Sequence, residues 1–414
     1  MEQKKTIIFK ISEFPHVSET FIVNHIMSTI KMGYDVKILV NKLILSNFDS
    51  YQSIFEKYEL SEKIYLENYE IPKNKLVKIF KWFYLLLINI SSISSIYAFL
   101  KTQKKFSFST LYQWCFFQKF NNKNTIFHIQ YGTNKHPIDL LKVTGNFKPS
   151  VIVTFHGHDA FFPINGFIPN NGYYDMLFNT SNLITANTPY LANQLIKIGC
   201  LENKIVIVPV GVDTSFFKPT PEGLFSKEKL KIITVGRLDS GKGHVYGIEI
   251  IRRLVSDGIP VQFNIVGEGK EFQKLQNQIQ TNDLQEHVFL LGKKNQKEIR
   301  DLLRQHDLYL LTAVAMEGGR RETQGLATIE AQACGLPAVV FDSGGVKYTV
   351  EDGVTGYVCE EYNTDEVVAK IKTLYNDAIL LREMSKNTQK FVQEHYSLFS
   401  VEKKWEIIYK NIFN

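Results

Sequence analysis

The sequence predicts an α/β protein built from two doubly wound, mainly parallel sheets in series. Strand-like and helix-like stretches alternate along the chain, as βαβ units require. A stretch holding Pro209, Gly211, Pro219, Pro221 and Gly223 interrupts the alternation and has no sustained period. The length of 414 residues suits two or three domains. With 44% apolar and 22% charged residues, two cores can be buried, and a disordered chain is excluded.

In the first half, Thr6–Ile11 reads as a strand. Ser18–Met32 reads as a helix capped by Ser18 and stopped by Gly33. Asp35–Val40, Thr125–Ile129, Ser150–Phe155, Asn182–Ala186 and Lys204–Val208 read as further strands. The alternation restarts with strand Leu230–Val235, helix Gly243–Asp257 and strand Val261–Val266. Strands His287–Leu291, Leu308–Thr312, Ala338–Phe341 and Gly356–Val358 follow. Helices Thr364–Tyr375 and Ala378–Glu394 come next, then a final stretch, Ser397–Asn414. The expected domains are 1–212, with a helix over 396–414 packing back on it, a linker at 213–228, and 229–395. Ligands of such sheets bind at the strands' carboxyl ends, and the cleft between two facing domains is the expected site.

Cys115, Cys200, Cys334 and Cys359 form no C-x-x-C pair, which argues against a disulfide scaffold or structural zinc and fits a reducing compartment. The first residues, MEQKKTIIFKISEF, hold an apolar run of only three and do not read as a signal peptide. Between Lys81 and Lys101 lie 19 uncharged residues, long enough to span a bilayer but carrying four Ser and one Asn. The segment 82–100 is therefore expected to be a helix that is buried or faces a membrane, rather than a span.

Three stretches carry chemistry. Gly325–Pro337 is a short helix with good formers, closed by Gly335 and Pro337, and a polar Gly-rich run precedes it. Glu322 falls at its N-terminal end and Glu330 near its middle; exposed amides there suit a phosphate. The plain alternative is one capping and one solvated carboxylate. Second, Val235–Gly243 leaves a strand and opens a helix with Arg237, Lys242 and three glycines, a recipe for holding a diphosphate. It matches neither a P-loop nor G-x-G-x-x-G, and a basic capped turn is the alternative. Third, His156-Gly-His158-Asp159 ends a strand, where ring nitrogens can meet a ligand. The spacing of the two histidines is read as setting the rings apart, against a metal site.

Together these stretches resemble the GT4 family of GT-B glycosyltransferases. The matching residues are Gly236, Arg237, Leu238, Gly241, Lys242 and Gly243, the turn Gly267–Gly269, and the pair Glu322 and Glu330. Ala333–Pro337, Ser343-Gly-Gly345, Asp352–Val358 and the entry Val208–Asp213 complete the set. Ser18–Phe21 and His156–Asp159 resemble the subgroup that makes extracellular polysaccharides of the colanic-acid type.

The resemblance implies two Rossmann-like domains facing each other across a cleft. It also implies retaining transfer of a hexose from a nucleoside diphosphate sugar to a saccharide acceptor, lipid-linked, in surface polysaccharide or glycan biosynthesis. Glu322, His156, Arg237 and Lys242 would be catalytic. Arg237 and Lys242 would hold the diphosphate, Glu330 the ribose and Glu322 the sugar hydroxyls. Gln324, Gly325 and Leu326 would offer amides near phosphate, with the base beside Gly267, Glu268 and Gly292. Acceptor-side candidates are Glu13, His16, Glu19, His158 and Asp159. No cofactor and no metal is expected, since cations and a helix terminus carry the electrostatics and no D-x-D triplet occurs. A UDP-sugar is preferred to GDP-mannose. Two departures stand out: the first β–α turn, Ser12–Glu19, lacks glycine, and Lys347-Tyr348 replaces the family's usual Pro-Glu.

The net charge of +6 is uneven: residues 71–138 hold ten Lys and no Asp or Glu, interleaved with aromatics. Such a stripe suits an anionic membrane surface, and the chain is expected to be cytoplasmic and peripheral at the inner face of the membrane. A solvated face over core aromatics is the alternative, and nucleic acid is not an expected partner because no such motif accompanies the stripe. An NDP-sugar epimerase of GT-B architecture, or a non-catalytic two-domain sugar-nucleotide binder, are the rival functions.

Overall fold

The computed structural model describes residues 4–16, 19–48, 51–103, 107–161, 172–220, 229–316 and 318–414. The expected cap Ser18, Phe106 of the aromatic stripe and residues 221–228 of the expected linker lie outside them. Contacts divide the chain into two units. One comprises Met1–Ala186, Ala192–Ile207 and Lys404–Asn414; the other comprises Asn187–Leu191 and Val208–Lys403.

The first unit holds seven parallel strands: β1 (Thr6–Phe14), β2 (Asp35–Leu43), β3 (Ile64–Leu66), β4 (Thr125–Gln130), β5 (Ser150–Thr154), β6 (Leu183–Ala186) and β7 (Ile205–Ile207). Their order is β3-β2-β1-β4-β5-β6-β7. Thr6 pairs with Asp35 on one side and Thr125 on the other. The order therefore reverses between β1 and β4, which opens a crevice at their carboxyl ends. Ile7, Phe9, Ile38, Phe127, Ile129, Ile152 and Ile184 are buried in this sheet, each contributing about 1.5–3 kcal/mol. Strand β3 was not expected, because three mostly exposed edge residues are too few to show a period.

Segment 82–100 does not form one helix. The chain makes a helix Lys75–Ile88 and another Ile93–Thr102, broken at the short turn Ile90–Ser92 and bent by 78°. Among the described residues, no single helix is long and apolar enough to cross a membrane.

The final helix, Leu398–Phe413, places Trp405 and Tyr409 among buried rings of the first unit. The Tyr409 hydroxyl lies 2.8 Å from His128 Nδ1 and 2.9 Å from His25 Nε2. His128 Nε2 lies 2.7 Å from the Thr154 hydroxyl. Burial pushes His25 down to about 3 and His128 well below its ordinary value, so both rings are neutral at physiological pH. One hydroxyl thus serves two imidazoles, His128 fully buried and His25 partly so.

The second unit holds six parallel strands: β8 (Leu230–Val235), β9 (Val261–Val266), β10 (Val288–Leu290), β11 (Leu308–Leu311), β12 (Ala338–Phe341) and β13 (Gly356–Cys359). Their order, β10-β9-β8-β11-β12-β13, reverses between β8 and β11. Alternate residues feed opposite cores: Ile232, Leu310 and Val339 join one cluster, while Ile233, Leu311 and Val340 join the other. Val212 and Phe217 are buried in the latter cluster. Val212 also exchanges backbone hydrogen bonds with Tyr396 and Leu398. The division by contacts therefore falls before Val208 and not after Val212.

Replacing Tyr409 by Phe keeps the ring and removes the shared hydroxyl. The expected cost is about 1–3 kcal/mol from the imidazole nitrogens left without it. Urea unfolding followed by Trp fluorescence measures this, and an unchanged midpoint would show that the hydroxyl does not hold the cluster.

Candidate active site

The crevice of the second unit lies where β8 and β11 part, and the loops that follow these strands line it. Loop 236–243 is fixed at both ends. The Leu238 amide donates to the Glu268 carbonyl at 2.9 Å, and the buried His244 ring meets the Arg237 carbonyl at 3.1 Å. Gly243 has φ +64°, and a Cβ there would lie 1.8 Å from the Thr312 carbonyl oxygen. The Thr312 hydroxyl donates back to the Gly243 carbonyl at 2.8 Å. Only glycine allows this turn to press on the end of β11.

The turn delivers Lys242, whose methylenes lie over Gly236 and whose Nζ stands 2.6 Å from Glu322 Oε2. Lys242 is the main cause that holds the Glu322 carboxyl below its usual range, against the effect of burial. The Gly325 amide also donates to this carboxylate, and Arg237 adds a longer-range attraction. Arg237 itself is exposed and pairs with Asp239 at 3.3 Å. Three of the expected residues therefore converge, but the Gly325 amide faces Glu322 and is not open for phosphate.

The loop that carries Glu322 is held in part by two groups the sequence did not single out, Glu361 and Thr188. Glu361 accepts from the Ala315 amide at 2.9 Å and from Arg321 Nε at 3.0 Å. The Gly345 amide donates to the Glu322 carbonyl at 2.7 Å, and a Cβ on Gly345 would sit 1.8 Å from the Thr323 carbonyl oxygen. The Thr188 hydroxyl donates to that same oxygen at 2.7 Å. Gln324 is buried, and its side-chain amide exchanges two hydrogen bonds with the Val210 backbone, at 2.8 and 2.9 Å. Its side chain is thus structural.

Beyond the loop runs the helix Leu326–Ala333, with Gly325 left-handed at its N-cap. Leu326 opens this helix and is half-buried; so is Glu330, and burial pushes its carboxyl up to about 7. Gly267 and Gly292 meet where β9 and β10 end, the Gly267 amide donating to the Gly292 carbonyl at 3.0 Å. Beside them Glu268 is exposed and pairs with Lys293 at 3.3 Å.

In the first unit, the ends of β1, β4 and β5 gather Glu19, Tyr131 and His156. The Tyr131 hydroxyl donates to Glu19 at 2.8 Å, and its ring lies 4.5 Å from that of His156. His156 Nε2 is 2.9 Å from the Gln130 side-chain oxygen. Tyr131 holds φ +66°, a backbone position that side chains disfavour, directly after β4. Nothing local in the sequence marks it. His158 is exposed at the start of a short helix. Residues two apart on one strand share a face. The expected separation of His156 and His158 therefore comes from β5 ending at Thr154, not from strand alternation.

Asp159 is a correction among the acceptor-side candidates. Its carboxylate is buried and accepts from the amides of Gly132, His156 and Gly157 at 2.8–3.0 Å, which ties the ends of β4 and β5 together. Its oxygens are buried and taken by these amides, so it is not presented to an acceptor. Glu13 pairs with Lys42 at 3.2 Å, and His16 is exposed. Among the described residues, no group of three His, Cys, Asp or Glu is placed to hold a metal ion.

Residues 218–391 match the model of the family described as glycosyl transferases group 1. Over 359 residues the chain is 27% identical to the putative colanic acid biosynthesis glycosyltransferase WcaL of Escherichia coli K12, covering 85% of this chain and 86% of that one. Over 367 residues it is 25% identical to the amylovoran biosynthesis glycosyltransferase AmsK of Erwinia amylovora, covering 88% and 89%. Among solved structures, Anabaena HepE in complex with UDP superposes with a TM-score of 0.69 at 15% identity, covering 98% of this chain and all of that one. That likeness shows the GT-B fold. The relatives are named as transferases, and nothing here speaks for an epimerase. With a group 1 domain over 218–391 and whole-length similarity to exopolysaccharide enzymes, the chain is a glycosyltransferase of the GT-B fold that is similar to GT4 enzymes.

Proposed function

We propose that the chain transfers a hexose, with retention at the anomeric carbon and without a metal, from a UDP-sugar to a lipid-linked saccharide during surface polysaccharide synthesis. The observation that carries this reading is the Lys242–Glu322 pair at the crevice, with Arg237 beside it. When a sugar nucleotide arrives, Lys242 and Arg237 face its diphosphate. Lys242 then exchanges a carboxylate partner for phosphate oxygens, and Glu322 turns its oxygens to hydroxyls of the sugar. The two cations stabilise the charge that builds on the departing diphosphate, the role a metal would otherwise fill. Glu330 accepts the ribose hydroxyls. In the first unit, His156 is the candidate for bonding a sugar hydroxyl, and Glu19 stands on the acceptor side.

Several observations support the donor class. HepE was solved with UDP, and the site combines two cations, a helix N-terminus and a carboxylate pair. Retention and the lipid-linked acceptor rest on the resemblance to GT4 enzymes. The lysine-rich stretch 71–138 supports a position on the inner face of an anionic membrane. Incubation with UDP-sugars and a lipid-linked saccharide should give acceptor-dependent UDP release, with the donor's anomeric configuration kept in the product by NMR. Release that ignores the acceptor, or an inverted product, would overturn the reading.

Glu322→Gln keeps the shape and removes the charge. It should lower kcat about a hundredfold or more while the circular dichroism spectrum stays unchanged. Full activity in this variant would take Glu322 out of the reaction.

Glu330 supplies a pH test. Ribose hydroxyls donate to its carboxylate, so protonation below about 7 opposes binding. Affinity for UDP-glucose, whose diphosphate does not titrate in this range, should fall up to about tenfold per unit as pH drops below that value. Glu330→Gln should flatten the profile in calorimetric titrations. A wild-type affinity independent of pH from 5.5 to 8 would refute the ribose assignment.

A further inference from the structure

The helix Lys75–Ile88 is amphipathic in reverse. Its sequence is mostly apolar, yet none of its residues is buried. Leu76, Phe80, Phe83 and Leu87, spaced to form one line along the helix, are 67%, 74%, 55% and 69% exposed. The opposite side, where Lys78 and Lys81 lie, faces the body of the unit. Lys78 Nζ reaches the Ser109 hydroxyl at 3.4 Å, and Lys81 Nζ reaches the Glu70 carbonyl at 3.3 Å. A helix of a water-soluble surface turns these sides the other way.

The following helix continues the pattern. Ile90, Ile93 and Tyr97 are exposed, and a groove of about 450 Å³ between the two helices is lined by Trp82, Leu86, Ile93, Ile96, Tyr97 and Leu100. A contiguous apolar surface of this kind marks an interaction site. The pair has the length and composition of a span but is bent by 78°. A pair bent in this way fits a helical hairpin lying in one leaflet better than a straight span. Charge selects the occupant. Lys73, Lys75 and Lys101 rim the surface, and no carboxylate occurs from 71 to 138. Two copies face to face would bring like charges together, whereas anionic headgroups complement them.

We propose that helices Lys75–Ile88 and Ile93–Thr102 insert into one leaflet of an anionic phospholipid bilayer. The line Leu76–Phe80–Phe83–Leu87 enters the acyl region, and the groove between the helices takes an acyl chain. This deepens the proposed membrane contact from surface attraction to insertion. It does not depend on the transfer chemistry.

The full chain is floated with phosphatidylcholine vesicles and with mixed phosphatidylcholine–phosphatidylglycerol vesicles, then washed with molar salt. Insertion predicts binding to both, stronger to the mixed vesicles, with most protein retained after the wash. Trp114 and Trp405 are buried in the protein, so quenching by brominated acyl chains reports on Trp82 and should be strong. Phe80→Glu/Phe83→Glu/Leu87→Glu alters exposed positions only; it should lower the vesicle-bound fraction at least tenfold and keep UDP affinity within twofold. Complete release of the wild type by salt, absent quenching, or equal flotation of the variant would each overturn insertion. So would a wild type that ignores vesicles and forms a dimer that the variant loses. A wild type that floats but fails to bind UDP would leave insertion standing and refute the donor assignment instead.

Discussion

A single ion pair organises the crevice of the second unit: Lys242 Nζ against Glu322 Oε2, where the two halves of the sheet separate. Neither group is well placed alone. A partly buried carboxylate without a counter-charge tends to gain a proton. Beside Lys242, the Glu322 carboxyl is held below its usual range, in surroundings that weaken Coulomb attraction less than bulk water does. The contact joins loop 236–243 to loop 315–325, which come from different strands. It also exists only because the backbone approaches closely at two glycines, Gly243 against Thr312 and Gly345 against Thr323. In the proposed reaction the pair is the part that exchanges partners, while the hydrogen bonds of Glu361, Gln324 and Thr188 keep the loop in place.

The first unit treats its polar groups differently. His25, His128 and Tyr409 are joined through one hydroxyl, and Asp159 binds three amides. These groups set the ends of β4 and β5 and so fix where His156 and Tyr131 stand. The positive φ of Tyr131 falls at this same edge, the expected location for backbone strain that serves a site. In the proposed reaction, the fixed strand ends of one unit would serve the acceptor and the exchangeable ion pair of the other would serve the nucleotide. In the proposed insertion, the bent, outward-facing helices would bring the same unit to a lipid surface.

Much of this was legible in the chain. Alternating strands and helices announced the two sheets, because a period of two against 3.6 survives in a single sequence. The strand–turn–helix Val235–Gly243 marked Arg237 and Lys242, and the spacing of Glu322 and Glu330 placed both beside one helix. Short elements were hidden: β3 carries too few residues to show a pattern. The uncharged run 82–100 suggested one helix, since composition records apolar content but not the break at Ile90–Ser92.

The sequence by itself determined the fold class, the basic glycine-rich turn proposed to hold a diphosphate and the carboxylate pair, because each depends on residues close together in the chain. Only the tertiary structure decided which charges meet. Lys242 and Glu322 are far apart in sequence, as are Thr188 and Thr323, and Val210 and Gln324. Their partners are chosen by which strand ends lie side by side, and the order of strands is set by packing two cores against one sheet. The same holds for Asp159: the sequence offers a carboxylate beside a ligand, but packing surrounds it with three amides and makes it part of the scaffold.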